Sequence, residues 1–318
     1  MFVIRGLANL VPFADGCVVT IGNFDGVHLG HQAVIQKLSK KGKQLGLPVV
    51  VVLFEPQPLE YFSQEKAPSR LTRLREKIAK LRELPVDYAL ILKFDKAFSI
   101  LEPEDFLRCV LVDKLRTKHL VVGDDFRFGT QRRGDFQLLC ELAPKYGFDV
   151  VDTNPIYVNQ NRVSSTLIRQ ALNSGDLAVA QNMLGRPYSV CGRIVHGAKR
   201  GQSIGFPTAN IRMLRKNTAV KGVFAVTMTG FKQREVHGVA NVGKRPTVDA
   251  ENAVLLETHL FEFDGDLYGH MVEVHFHKKI RNEIKFATVD ELRKQIQRDV
   301  RVAQEYLLNR TISVEKSE

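Results

Sequence analysis

The sequence predicts an α/β chain of two unlike parts: a doubly wound parallel sheet, then a small antiparallel β-barrel with a closing helix. Three observations predict it. In the first half, short β-rich apolar runs alternate with longer amphipathic stretches, as βαβ units require. After Gly185-Arg186-Pro187 the helical period disappears, and strand-like segments follow one another between Gly, Pro, Asn and Asp turns. Helical spacing returns only near the end of the chain. At about 150 residues per domain, 318 residues make about two. The boundary is placed so that the domains are 1–185 and 186–318.

In the first part, Cys17–Ile21, Val49–Phe54, Tyr88–Phe94, His119–Gly123 and Phe148–Asp152 have the length and composition of buried parallel strands. Between them, His28–Leu45, Leu71–Leu84, Pro103–Leu115 and Gly134–Tyr146 place apolar residues at helical spacing, and Ser165–Leu184 closes the series. Ligands of such sheets bind beyond the C-terminal strand ends, so the loops there should carry the chemistry. In the second part, Val190–Val195, Val223–Thr229, Val236–Val239, Val254–Phe263 and Met271–Lys278 read as barrel strands. Val289, Leu292, Ile296, Val300 and Ala303 mark the closing helix, with Thr288 at its N-cap.

Hydrophobic residues at 44% and charged residues at 25% exclude global disorder. Cys17, Cys109, Cys140 and Cys191 lie far apart with no C-x-x-C pair. That excludes a zinc-finger framework and a dense disulfide scaffold, and suits a reducing cytoplasm, the expected location. No apolar run approaches the ~20 residues that span a bilayer. The start of the chain lacks the basic and apolar regions of a signal peptide, so no membrane partner is expected. The net charge of +11 is spread over both halves, not gathered in an arm, so small anionic substrates are expected and nucleic acid is not.

The first chemical motif is Gly22-Asn23-Phe24-Asp25-Gly26-Val27-His28-Leu29-Gly30-His31, between the first predicted strand and the first helix. Gly22, Gly26 and Gly30 let backbone approach a ligand, and the helix start offers N–H groups to an anion. His28 and His31, three apart, share a helix side and can donate to phosphate oxygens. The second motif is Ser164-Ser165-Thr166-Leu167-Ile168-Arg169, whose hydroxyls and arginine form either another phosphate cradle or a plain helix cap. The third is Gly123-Asp124-Asp125-Phe126-Arg127-Phe128-Gly129, suited to an aromatic-ring substrate, with at least one phenylalanine expected to plug the core. The loop Phe54-Glu55-Pro56-Gln57-Pro58 occupies an equivalent rim position, its path fixed by two prolines.

In the second part, Gly197, Gly201 and Gly205 punctuate a loop able to wrap phosphates, which runs into Phe206-Pro207-Thr208-Ala209-Asn210. Thr208 and Asn210 offer hard oxygen ligands suited to Mg²⁺ bound with phosphates. Glu257 shares one face of an alternating strand with Leu255, His259 and Phe261. Pointing inward, it would be a carboxylate at the barrel mouth able to accept a hydroxyl proton; pointing outward, a solvated side chain. The pattern leaves both open.

With these residues in view, the chain resembles the bacterial bifunctional riboflavin kinase/FMN adenylyltransferases over about Val18 to Tyr306. The first half is similar to nucleotidylyltransferases through the 22–31 and 164–169 motifs. The second is similar to riboflavin kinases through Gly205 to Asn210, Gly238-Val239-Ala240-Asn241-Val242-Gly243 with Pro246-Thr247, Glu257-Thr258-His259 and Ile280-Arg281-Asn282-Glu283. The resemblance implies phosphorylation of riboflavin by MgATP in the barrel and adenylylation of FMN by a second ATP in the sheet domain. It implies Glu257 as base, Thr208 and Asn210 on Mg²⁺ and phosphates, and Gly197, Gly201 and Gly205 over the nucleotide. In the sheet domain it implies His28 and His31 at the reacting phosphates, with Gly22, Asn23, Gly30, Ser164, Ser165, Thr166 and Arg169 binding them. Asp125, Phe126, Phe128 and Arg281 are implied at flavin. Gln57 stands where many members carry His, and Asp125 where some carry Asn.

Overall fold

The computed structural model describes residues 1–123, 125–197, 205–215, 217–231, 235–244 and 254–315, and their side chains except those of 244 and 311–315. Gly201, Pro246 and Thr247 lie outside the described residues. The chain forms two compact units: Met1–Pro68 with Thr72–Ser164, and Ser69–Leu71 with Ser165–Glu318.

The first unit runs β1 (Phe2–Arg5), β2 (Cys17–Ile21), α1 (Leu29–Leu45), β3 (Val49–Glu55), α2 (Pro58–Phe62), α3 (Leu74–Arg82), β4 (Tyr88–Lys93), α4 (Lys96–Ser99) and α5 (Pro103–Phe106). A π-helical stretch, Leu107–Lys114, continues α5. Then come β5 (Thr117–Gly123), α6 (Phe136–Tyr146), β6 (Asp149–Thr153) and a hairpin of β7 (Tyr157–Val158) and β8 (Asn161–Arg162). Six strands pair in parallel in the order β1-β4-β3-β2-β5-β6, the expected doubly wound sheet. Alternate residues of the central strands serve opposite layers. Val19, Ile21, Val50 and Val52 pack with Phe106, Leu107 and Leu139, while Val51 and Leu53 pack with Ile35 of α1. Winding proceeds from β2 outward in both directions, so the switch point lies between β2 and β5. The loops that leave those strands are the 22–31 and 123–129 motifs, where a doubly wound sheet places its ligand.

The second unit runs α7 (Ser165–Ser174), α8 (Leu177–Leu184), β9 (Tyr188–Val195), β10 (Ala209–Arg212), β11 (Gly222–Thr229), β12 (Val236–Lys244), β13 (Val254–Leu260), β14 (Met271–Arg281) and α9 (Val289–Glu315). Its six strands close into an antiparallel barrel in the order β10-β13-β12-β11-β14-β9. Leu256, Thr258, Phe224, Val226 and Phe276 are buried in the barrel strands. Ala303 and Leu307 of α9 pack on Val223, Ala225 and Val239 of the opposite strand face, the outer wall. Thr288 caps α9 as expected, its hydroxyl accepting from Glu291 N at 3.2 Å. The guanidinium of Arg281 clamps Asp299 of α9 through Nε and Nη2, and Asp299 is 2% exposed.

Several elements differ from the sequence expectation, among them β10, a sixth barrel strand formed by a stretch expected to be loop. The single helix over 165–184 is two, because Gly175 takes φ +87° and Asp176 begins a new helix by accepting from Val179 N. Strand β1 is an edge strand with Phe2 70% exposed, so it lacks the apolar signature of its neighbours. Strand β12 extends to Lys244, well past Val239, because its later residues place Asn241 on the outer wall. Among the described residues, no helix is long and apolar enough to cross a membrane.

Candidate functional site

In the first unit the 22–31 segment links β2 to α1, and it is strained. Phe24 and Val27 take φ of 47° and 43°, a region that a β-branched residue avoids. Their side chains supply the reason: both are buried in one cluster with Ile35, Val51, Leu53 and Leu81. Asp25, also buried, accepts from Thr72 N at 2.9 Å, and Thr72 Oγ1 accepts from Gly26 N at 2.9 Å. Core packing and a buried polar clasp therefore hold the loop in a conformation that local preference opposes. Asp25 is part of that clasp.

The clasp presents two imidazoles. His28 is the N-cap of α1, and its Nδ1 accepts from His31 N at 3.4 Å, which leaves its own N–H on Nε2. The rings of His28 and His31 stack with centroids 3.6 Å apart, and Phe24 lies on His31 at 4.8 Å. A Cβ on Gly30 would meet the His28 ring at 3.2 Å, so glycine is what lets that ring lie where it does. Desolvation, then the neighbouring His28 and Lys77, hold His31 well below the usual imidazole pKa, so it is neutral at physiological pH. Its Nδ1 is buried without a hydrogen-bond partner. Gly22 and the exposed Asn23 precede this pair.

Beyond the ends of β3, β4 and β5 runs a chain of rings. Tyr61 and Phe62 meet Phe94; Phe94 and Phe54 meet Phe98; Phe98 meets Phe106; Phe106 meets Phe128; Phe128 stacks on Phe126 at 5.6 Å. Phe128 plugs the core, Phe126 is partly buried and Asp125 is exposed. Gln57, in the 54–58 loop, is buried, and its Nε2 has no partner among the described residues. Most of these rings belong to the core, and the end exposed at Tyr61 and Phe62 suits a flat conjugated ring system.

In the second unit, Ser165 and Thr166 open α7, directly after Ser164 at the end of the first unit. Arg169 Nε donates to Ser69 O at 2.7 Å. On the barrel, Glu257 lies opposite Asn210 in the β10–β13 ladder and opposite Asn241 in the β12–β13 ladder. Directly opposed residues share a face, so Asn210, Glu257 and Asn241 form one row across three strands. The row lies on the outer wall, since Leu256 and Thr258 on either side of Glu257 are fully buried in the opposite direction. The inward alternative for Glu257 is thereby corrected: the barrel interior is packed with apolar side chains, where a carboxylate would be desolvated. The outward alternative does not hold as a simple solvated residue either, because Glu257 is half-buried between two carboxamides. Asn210 Oδ1 is buried and has no partner among the described residues. Gly197 lies so close that a Cβ there would overlap the Asn210 carboxamide. Gly205 and Thr208 lie in the segment that leads into β10. Arg281, at the end of β14, spends its Nε and Nη2 on Asp299 and donates through Nη1 to Asn282 O.

The two units match two known families in chain order. The family described as FAD synthetase matches residues 11–167, and the riboflavin kinase family matches residues 184–307. The bifunctional riboflavin kinase/FMN adenylyltransferase of Escherichia coli K12 is 50% identical over 307 residues, covering 96% of this chain and 98% of the relative. The chain belongs to the bifunctional riboflavin kinase/FMN adenylyltransferase family. The Haemophilus influenzae member is 48% identical over 96% of this chain and 99% of its own. A crystal structure described as a macrolide-efflux protein from Streptococcus pneumoniae is 29% identical, with a TM-score of 0.81 over 96% of this chain and 99% of that one. That likeness speaks for the shared fold.

Sequence reasoning missed several residues that hold these segments in place. Lys77 of α3 is 1% exposed and donates from Nζ to Asn23 O, behind the histidine loop. A lysine in the amphipathic pattern Leu74–Arg82 reads as a solvated face, and only the packing shows otherwise. Thr72 and Phe62 were equally silent, since each depends on a partner distant in sequence, Asp25 for the one and Phe94 for the other.

Proposed function

We propose that the chain makes FMN from riboflavin and ATP, then FAD and pyrophosphate from FMN and a second ATP, with residues 186–318 carrying the first step and residues 1–185 the second. The observation that carries the kinase half is the Asn210–Glu257–Asn241 row, a carboxylate flanked by two carboxamides, one with an orphaned buried oxygen. In the first step Glu257 takes the proton of the riboflavin 5′-hydroxyl as that oxygen bonds to the γ-phosphorus. The γ-phosphorus–oxygen bond to the β-phosphate breaks, and ADP leaves. Base assistance of this kind is worth about 10²–10⁴-fold.

The orphaned Asn210 Oδ1 and the Thr208 hydroxyl are hard oxygen donors that fit Mg²⁺, and we assign them to it. When bound, Mg²⁺ neutralises phosphate charge. We assign Gly197, Gly201 and Gly205 to covering the nucleotide, and Arg281, which fixes α9, to the flavin border.

In the second step an FMN phosphate oxygen attacks the α-phosphorus of ATP, and the bond to pyrophosphate breaks. No protein nucleophile is needed, only positioning and donors to the developing charge. His28 and His31 supply the donors; neutral imidazole gives an N–H without competing for the proton. Gly22, Asn23, Gly30, Ser164, Ser165, Thr166 and Arg169 bind phosphates. Asp125, Phe126 and Phe128 line the flavin side, with the ring chain as its apolar floor. The substrates are small molecules and the location is the cytoplasm.

The test is a time course of the purified chain with riboflavin and MgATP, flavins being separated by chromatography. FMN rising first and FAD following supports the reading. Neither product forming overturns it.

A further inference from the structure

We propose that His259 is a positioning residue for riboflavin phosphorylation: its Nδ1–H holds the Pro207 carbonyl and so fixes Thr208 against Glu257. This rests on the kinase assignment above and deepens it. His259 lies two residues beyond Glu257 on β13, hence on the same outer face. Its Nδ1 is 2.8 Å from Pro207 O, and its ring meets Phe206 edge-on with centroids 5.4 Å apart.

The need for such a tie follows from the ladder. Pairing of β10 with β13 begins at Ala209 with Thr258, so Thr208 and Pro207 precede the hydrogen-bonded register. Asn210 is held by that register directly opposite Glu257, but the segment that carries Thr208 is not. A carbonyl oxygen can only accept, so the contact puts the His259 proton on Nδ1. The strand that carries the base therefore also grips the segment that carries the phosphate ligands, one residue ahead of Thr208. A displacement of about 1 Å between such groups can cost about 10²-fold in rate. His259 touches neither reacting atom in this scheme; it sets a distance.

The test uses the full chain with His259→Ala, His259→Gln and His259→Asn, and measures kcat and KM for riboflavin phosphorylation. An asparagine carboxamide can place an N–H where Nδ1–H was; glutamine places it one bond further out, and alanine has none. The expected result is a loss of about 10–100-fold for Ala and Gln and a return to within about 3-fold for Asn. Adenylylation of supplied FMN should be unchanged in all three, which shows that the chain is folded. The pH profile of the Asn variant should match that of the parent chain. Wild-type rates for Ala or Gln, a loss in Asn as large as in Ala, or a limb missing from the Asn profile would each overturn the proposal. Glu257→Ala run alongside separates the two levels. If it phosphorylates riboflavin at full rate, the kinase assignment fails; if it is inactive while His259→Ala is not, only the positioning role fails.

Discussion

Asn210 stands directly opposite Glu257 in the β10–β13 ladder, and its carboxamide oxygen is buried without a partner among the described residues. A buried acceptor left open costs about 1–3 kcal/mol unless something binds it. Beside a carboxylate, on the wall of a barrel, such an oxygen is what the proposed Mg²⁺ assignment draws on.

The approach of Gly197 to Asn210 makes this testable by one methyl group. A Cβ at 197 would overlap the Asn210 carboxamide and push it from its place opposite Glu257. Gly197→Ala is expected to lower the rate of riboflavin phosphorylation by at least about 10-fold and to leave adenylylation of supplied FMN intact. Steady-state rates of both reactions on one preparation decide it.

Lys77 anchors the other site from behind. Its Nζ donates to Asn23 O, and its charge is among the causes that keep His31 neutral. Lys77→Met leaves the Asn23 carbonyl without that donor, a loss of about 1–3 kcal/mol. Denaturant unfolding should show that loss, and KM for ATP in FMN adenylylation should rise while riboflavin phosphorylation stays unchanged.

His277 gives the barrel unit an acid-sensitive point. It is buried against Thr227, whose hydroxyl lies 2.8 Å from Nε2, and burial, then Arg310, His275 and His237, lower its pKa from 6.5 to about 3. The folded form therefore resists a proton that the unfolded chain accepts. The stability is complete above pH 6.5 and is lost as pH falls from there toward 3, by up to about 1.4 kcal/mol per pH unit. Unfolding measured between pH 7 and pH 4 should show this decline, and His277→Gln should make it shallower.

The sheet, the barrel and the closing helix were legible because apolar periodicity is a local signal. The histidine loop was legible too: glycines, two histidines and a strand-to-helix junction coincide within ten residues. What stayed hidden depends on partners far along the chain. Whether Glu257 faces in or out is decided by what fills the barrel, and Leu256 and Thr258 fill it. That Lys77 is buried is decided by the backbone of Asn23. That Asp25 is a clasp is decided by Thr72. The break at Gly175-Asp176 was readable in principle, since a glycine followed by a capping aspartate is a stop and a start.

In the proposed scheme, two separate sites on one chain carry two successive reactions. The most direct measurement is a paired assay of Glu257→Ala and His31→Ala, each given riboflavin with MgATP and, separately, FMN with MgATP. Glu257→Ala should lose FMN formation by about 10²–10⁴-fold and still make FAD from FMN. His31→Ala should make FMN at the normal rate and lose FAD formation by about 10²–10³-fold. If either variant, still folded, loses both reactions together, the two-site account is contradicted.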